Sequence, residues 1–455
     1  MKGLTKKIIS GLLSTALLAV CATSLTACKI DETPKTTNSS FNYETDMQYM
    51  YYASGRFAPI TKSDTGYYYV GGQNMIIYVD KESQKATPLC SKPNCLHTGS
   101  DSCDAYFELA TTMFTGSAMG VPIQYYKGNL YMLTREWTAD GAVVTHLIKT
   151  DKAGKNREKI IDALDYSAYK WMIHRGYFYY ATDFSVKRIP LDKPKSEPEQ
   201  IYTLDKNKSY EGNNNAFSDL IAYGEYVYFD ATERDVENNT SGDTIRYAVN
   251  TSTMEVIKLQ HQDKNIVIDT FYDDHLVSYT YNVKTDEKPV YYKSNLDGSD
   301  LQTLTGENFN KVHNYYDGKY YYRDNEVEAF KNNEDQIIEV YDDNSKKIDS
   351  FKIKEGKGTK PFFAQDEDYF IFLDKDENGD EELVLADKSQ IGNINGGVIE
   401  WKSLCKYMWY EVPDVSYIVS SGKEHKPDNA TIIDNQWLVQ YKINRGILEG
   451  LQWKV

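Results

Sequence analysis

The chain is poor in positive charge, in histidine and in long apolar runs. Its 51 Lys and Arg face 67 Asp and Glu, a net charge of −16 over 455 residues. That balance argues against nucleic acid as a partner, because a phosphate backbone needs clustered Lys and Arg. The seven His stand singly at positions 97, 146, 174, 261, 275, 313 and 425. His-Glu-x-x-His, Gly-x-Ser-x-Gly and a phosphate-binding loop ending in Lys-Ser/Thr are all missing, which removes the commonest metalloprotease, hydrolase and nucleotidase signatures. No segment sustains a 3.6-residue apolar period, so an α-helical or two-lobed α/β solute-binding architecture is not expected. What is abundant is tyrosine, 39 against 16 Phe. Tyr suits half-buried strands with one wet end, so the composition leans β.

The one strongly apolar run is at the start. Lys2, Lys6 and Lys7 precede Ile8–Val20, which is too short to span a bilayer. It ends in Leu25-Thr26-Ala27-Cys28, which resembles the lipobox of bacterial lipoproteins. That resemblance implies cleavage before Cys28 and acylation of its thiol. Residues 1–27 are then a signal peptide, and the mature chain has 455 − 27 = 428 residues and a charge of −16 − 3 = −19. Residues 28–44 are polar and read as a lipidated Cys followed by a flexible tether. The expected location is the extracytoplasmic face of the cell membrane. An acidic body on an anionic membrane does not lie flat, so the lipid is read as an anchor only.

A turn residue followed by an aromatic or β-branched strand recurs at Gly66, Gly128, Gly176, Gly224, Asp274, Gly318, Glu367 and Asn435. The gaps between these positions are 62, 48, 48, 50, 44, 49 and 68 residues. Second strands follow at Met75–Val79, His146–Lys149, Val290–Lys293 and Glu382–Ala386. Polar turns such as Asp151-Lys-Ala-Gly154 and Asn295-Leu-Asp-Gly298 follow the second and third of these. With a strand before each turn residue, a unit is about four antiparallel strands in ~48 residues, the arithmetic of a β-propeller. Eight copies favour eight blades, with seven as the alternative; paired β-sandwiches are the competing all-β architecture. Residues 45–455 are read as one propeller domain. It carries a Cys-rich insertion at 88–120 and an irregular one near 395–428. Ring closure is expected through Met47–Tyr52 paired with Leu451–Val455.

The segment Asn295-Leu-Asp-Gly-Ser-Asp-Leu-Gln-Thr-Leu-Thr305 resembles the strand-turn-strand unit of TolB-like β-propellers. The wider pattern is similar to propeller lipoproteins of Gram-positive anaerobes. These also carry a Cys-Pro-Cys-His segment after the first blade, here Leu89-Cys-Ser-Lys-Pro-Asn-Cys-Leu-His97. The resemblance covers most of residues 50–455. It implies a fold and a location, and no activity.

After Cys21 and Cys28, the remaining cysteines are Cys90, Cys95, Cys103 and the distant Cys405. Cys90, Cys95, His97 and Cys103 place four soft ligands within 14 residues, a valid tetrahedral zinc set. Outside the cell, disulfides among the four Cys are the equal alternative, including one from Cys405 to the cluster. Either bond would staple a long inserted loop. Asp374-Lys-Asp-Glu-Asn-Gly-Asp380 begins like a calcium loop but lacks its closing Glu, so a hairpin turn with solvated acids explains it. Ser403/Lys406 and Ser420/Lys423 match a Ser-Lys spacing at the level of chance. Tyr67–Tyr69, Tyr177–Tyr180 and Tyr320–Tyr322 are expected between blades. Trp401, Trp409 and Tyr410 belong to no clear repeat and are the ligand-binding candidates.

The functional expectation is a membrane-anchored, non-catalytic propeller binding a ligand or protein partner at the cell surface, with structural zinc as the only implied cofactor. The alternative is a carbohydrate-active lyase or hydrolase using acids and His around the axis.

Overall fold

In the computed structural model the residues described are 42, 44–47, 60–70, 74–80, 83, 86–97, 102–110, 123–164, 170–205, 216–235, 240–261, 264–272, 274–280, 290–304, 312–316, 319–322, 337–342, 344, 346–352, 362–365, 369–375 and 381–406. Within them the chain is a succession of antiparallel four-strand meanders. Unit 1 holds β1 (Ile60–Lys62), β2 (Gly66–Val70), β3 (Ile76–Asp80) and β4 (Ala86–Pro88). Unit 2 holds β5 (Gln124–Tyr126), β6 (Asn129–Trp137), β7 (Val143–Asp151) and β8 (Glu158–Leu164). Unit 3 holds β9 (Lys170–His174), β10 (Tyr177–Ala181), β11 (Ser185–Pro190) and β12 (Glu199–Thr203). Unit 4 holds β13 (Phe217–Tyr223), β14 (Tyr226–Asp235), β15 (Thr240–Asn250) and β16 (Val256–His261). Unit 5 holds β17 (Lys264–Tyr272), β18 (His275–Thr280), β19 (Val290–Asn295) and β20 (Gln302–Thr303). Unit 6 holds β21 (Val312–Tyr316), β22 (Lys319–Tyr322), β23 (Ile337–Asp342) and β24 (Lys347–Lys352). Unit 7 holds β25 (Phe362–Gln365), β26 (Tyr369–Lys375), β27 (Glu381–Asp387) and β28 (Trp401–Lys406).

The units are propeller blades because of how they meet. First strands lie side by side, β1 by β5, β5 by β9, β9 by β13 and β17 by β21. Strand side chains alternate between faces, and each blade uses both faces. On β9, Trp171 and Ile173 face unit 2 and pack with Tyr131, Leu133 and Leu147. Met172 points the other way and packs with Leu220, Tyr228 and Phe229 of unit 4. Units 1 and 2 meet through Tyr68, Ile76, Leu130 and Met132, and units 6 and 7 through Val340, Phe351, Phe370 and Val384. Tyr67, Tyr68, Tyr179 and Tyr180 are buried as expected of inter-blade fillers. Burial pushes the Tyr179 hydroxyl up to about 12.

The first seven repeat landmarks each mark the entry to a second strand, from β2 to β26. The eighth, Asn435, lies outside the described residues, as do 48–52 and 451–455 of the expected closure. Met47 itself is not in a strand; it is buried beside unit 3. A second repeat signal closes the third strand. Asp151, Asn250, Asn295 and Asp342 end β7, β15, β19 and β23. The side chains of Asp151, Asn250 and Asp342 accept backbone N–H bonds from the turn that follows, as from Ala153, Ser252 and Asn344. Asx side chains bond in this way to the backbone two residues on.

Antiparallel order sorts the connections onto two ends of the ring. The turns from first to second and from third to fourth strands share one end, the turn face. Connections from second to third strands and from one unit to the next share the other, the loop face. All first turns are two or three residues, whereas the longer connections from β4 to β5, β12 to β13, β18 to β19 and β22 to β23 leave their strands at the loop face. Units 4 and 5 differ from the rest. His261 and Gln260 of β16 pair with Lys264 and Asn265 of β17, which makes one eight-stranded sheet.

Candidate metal centre and the N-terminal clasp

The longest loop-face connection begins where β4 ends. Leu89 keeps the ladder for one more residue, its N–H donating to Ile76 O at 2.9 Å. It lies against Gly154 in unit 2, where an added Cβ would sit 2.8 Å from Leu89 Cδ2. Gly154 also has φ of +73°, so only glycine fits this turn and this approach. The chain then turns twice through left-handed residues, Asn94 (φ 65°) and His97 (φ 52°). Those turns fold Cys90, Cys95, His97 and Cys103 onto one another, so that their ligand atoms all lie within 4.8 Å. His97 presents Nδ1, 3.6 Å from Cys103 Sγ. The three cysteines are free thiols, so no disulfide joins them to one another.

The backbone prepares the sulfurs for negative charge. Burial raises the Cys90 thiol, but the N–H groups of Lys92 and Asp104, with Cys95 and Cys103 beside it, outweigh burial and bring it below its usual value. Cys103 is pushed up to about 11 by burial and by its neighbours Cys95 and Cys90, against one N–H bond from Ala105. Three thiols this close cannot all ionise without a cation among them. Lys92 bridges the rim at 2.7 Å to Asp104 and at 2.8 Å to Ser102 O. Amide donors to sulfur and a set of four N/S ligands suit a closed tetrahedral metal. The residues therefore form a group able to hold a metal ion such as zinc.

Beyond Cys103 the chain straps two blades together. Cys103, Ala105, Phe107 and Leu109 alternate inward and are buried. On one side Ile76 N–H donates to Ala105 O at 2.8 Å, and Phe107 N–H to Asn74 O at 3.1 Å. On the other, Arg135 N–H donates to Glu108 O and Ala110 N–H to Leu133 O, both at 2.9 Å. Arg157 of unit 2 covers the Phe107 ring at 3.8 Å and donates to Tyr106 O and Asp104 O. Leu96, between two ligands, is 85% exposed.

A second irregular segment, Asn42–Met47, docks on the turn face. Asp46 and Arg175 form a buried ion pair, Nε to Oδ1 at 2.7 Å and a second guanidinium nitrogen to Oδ2 at 3.2 Å, with side chains 0% and 5% exposed. Arg175 N–H donates to Thr45 O. Met47 N–H donates to His174 Nδ1 at 3.1 Å, so His174 Nε2 carries the proton given to Gly224 O at 2.8 Å. Burial, with Arg175 adding to it, lowers His174 to about 4 against Asp46 and the Gly224 carbonyl.

The other sequence candidates are placed apart. Cys405 is on β28 opposite Leu383. Trp401 starts that strand opposite Ala386 and packs against the seam of units 6 and 7. The stretch read as irregular thus opens with the fourth strand of unit 7. Trp409, Tyr410, Ser420, Lys423 and His425 lie outside the described residues, as do 376–380 of the acidic segment, which is the connection from β26 to β27. Sequence reasoning missed His146, whose buried ring has Nδ1 2.7 Å from Asp162 and Nε2 3.4 Å from Glu136. The positions are on β6, β7 and β8, so only their register across the blade brings them together. The cross-strand partner of His146 on β6 is Thr134, two residues from Glu136.

No family model matches the chain, and no curated protein matches it. Solved structures similar to it include an oligogalacturonate lyase in complex with manganese, 10% identical over 65% of this chain and 77% of that one, TM-score 0.31. TolB from Acinetobacter baumannii is 13% identical over 75% and 81%, TM-score 0.26. The β-propeller domain of the Trilobed protease from Pyrococcus furiosus is 12% identical over 79% and 99%, TM-score 0.36. The propeller assignment rests on the strand order and the blade seams: a ring of meandering four-stranded blades whose longest described loop gathers a Cys3His group.

Proposed function

We propose that the chain is a membrane-anchored, extracytoplasmic binding propeller, lipidated at Cys28, whose Cys90, Cys95, His97 and Cys103 hold one structural zinc. The observation that carries this is the closed Cys3His group at the root of a strap joining two blades. A zinc there takes three thiolates and one imidazole and leaves no position for substrate, so its role is to hold the strap. Side-chain seams make the ring rigid, and a rigid ring presents its loops to a partner with little ordering cost. The partner is a ligand or protein at the cell surface.

The test uses residues 29–455 purified without reductant or chelator. About one zinc per chain by mass spectrometry, with four thiols titratable after denaturation, supports the reading. No metal and paired thiols would overturn the zinc. Palmitate labelling of the full chain in cells, abolished by Cys28→Ala, tests the anchor separately. The carbohydrate-active alternative has its best foothold at His146 with Asp162 and Glu136. It predicts turnover of a surface polysaccharide that His146→Gln abolishes.

A further inference from the structure

We infer that the clasp at Asn42–Met47 sets which face of the ring looks at the membrane: the turn face inward, and the loop face with the Cys3His strap outward. This rests on the proposed anchor at Cys28. The clasp grips the turn between β9 and β10 through Arg175, and it reaches the turn between β13 and β14 through the His174–Gly224 bond. Both are first turns, so both lie on the turn face beside the inner strands. The Cys3His loop connects β4 to β5 and lies on the loop face.

Chain length turns this placement into an orientation. From Cys28 to Asn42 is 42 − 28 = 14 residues, about 46–50 Å at full stretch. As the polar tether read from the sequence, its root-mean-square reach is ~20 Å. With the turn face inward that reach is ample. With the loop face inward the tether must first cross a blade of four strands, ~19 Å at strand spacing. It must then descend the five-residue length of β9, ~17 Å, before any side chain is counted. That path of about 36 Å takes roughly three quarters of the full stretch and nearly twice the root-mean-square reach, so it strongly extends the tether. The ion pair is buried at both ends, so the point of departure stays fixed.

The test is energy transfer from the lipidated full chain to vesicles of phosphatidylethanolamine and phosphatidylglycerol carrying a headgroup-linked acceptor. A fluorescent amino acid replaces either Lys193, on the turn between β11 and β12, or Ala139, on the connection between β6 and β7; both sites are exposed. The expected result is at least twofold stronger transfer from position 193 than from position 139. Equal transfer, or stronger transfer from 139, overturns the orientation. Arg175→Ala frees the clasp and is expected to bring the two signals together. If that variant does not fold, the comparison of 193 with 139 in the native clasp still decides. A chain that never partitions onto vesicles overturns the anchor instead. The orientation is then read with a synthetic lipid coupled at residue 28, where the same two outcomes apply.

Discussion

Asn42–Met47 and Cys90–Ala110 are both irregular segments pinned to a regular ring, and they are pinned by different means. The first carries its own counter-charges. Asp46 and Arg175 neutralise each other, His174 accepts one amide, and all three are closed off from water. The second gathers three thiols and an imidazole; once ionised the thiolates repel one another, and the amides of Lys92 and Asp104 with the Lys92 ammonium offset only part of that repulsion. One fastening is complete on folding and the other calls for an ion from outside. Position explains the difference. The clasp enters a seam already lined by Met172 and Tyr179. The later half of the Cys segment is buried, but its first turns, Cys90–His97, lie at the rim with Leu96 in solvent, where burial alone does not hold them.

The contrast is broken most sharply at Arg175. Arg175→Ala leaves Asp46 buried and alone, and a buried pair that loses one partner costs about 3–5 kcal/mol. Urea unfolding should show that loss, and the double change Asp46→Ala with Arg175→Ala should recover part of it. His174 gives the next effect. Its folded pKa of about 4 lies below the unfolded value near 6.5, so between those values the unfolded chain binds the extra proton. Stability from the neutral ring is complete above pH ~6.5 and is lost as pH falls towards 4, by about 3 kcal/mol. Denaturation across that range should show the slope, and His174→Gln should flatten it.

Cys103→Ser sharpens the other side. Bound zinc should fall from about one per chain to near zero, and protease cutting between Cys90 and Ala110 should accelerate. The expected cost is about 2–4 kcal/mol, as for a lost loop staple, with the clasp seam unaffected in hydrogen exchange. Leu96→Ala should do least. An exposed side chain between ligands contributes within about 0.5 kcal/mol, so unchanged melting and zinc content are expected.

How much of this was legible varies with the range of the interactions. Local rules found the blades: a turn residue ahead of each strand from β2 to β26 is required by hairpin geometry within a few residues. The Cys3His set was legible because its ligands are close in sequence. Its strap was not, since Ala105 and Phe107 read as an unremarkable loop until their backbone finds Ile76 and Asn74. The Asx that ends β7, β15, β19 and β23 was visible in the letters, and a register built on it would have placed the third strands better than glycine spacing. The clasp was beyond reach. Asp46 meets its partner 129 residues away, and a run of polar residues with one Met gives no sign of being buried. His146 is a similar case, because its acids converge only through the pairing of three strands.

The pairing of β16 with β17 has a mechanical meaning. At the 2–3 seam two blades touch through side chains, and such a seam can part by sliding while every sheet stays whole; the 1–2 and 6–7 seams also carry backbone bonds, through the strap and through Lys352 with Gly397 and Ile399. Between units 4 and 5 the sheets are stitched by backbone bonds at Gln260–Asn265 and His261–Lys264. Parting there means tearing a ladder. Any opening of the ring is therefore expected at a seam held by side chains alone, with units 4 and 5 moving as one body.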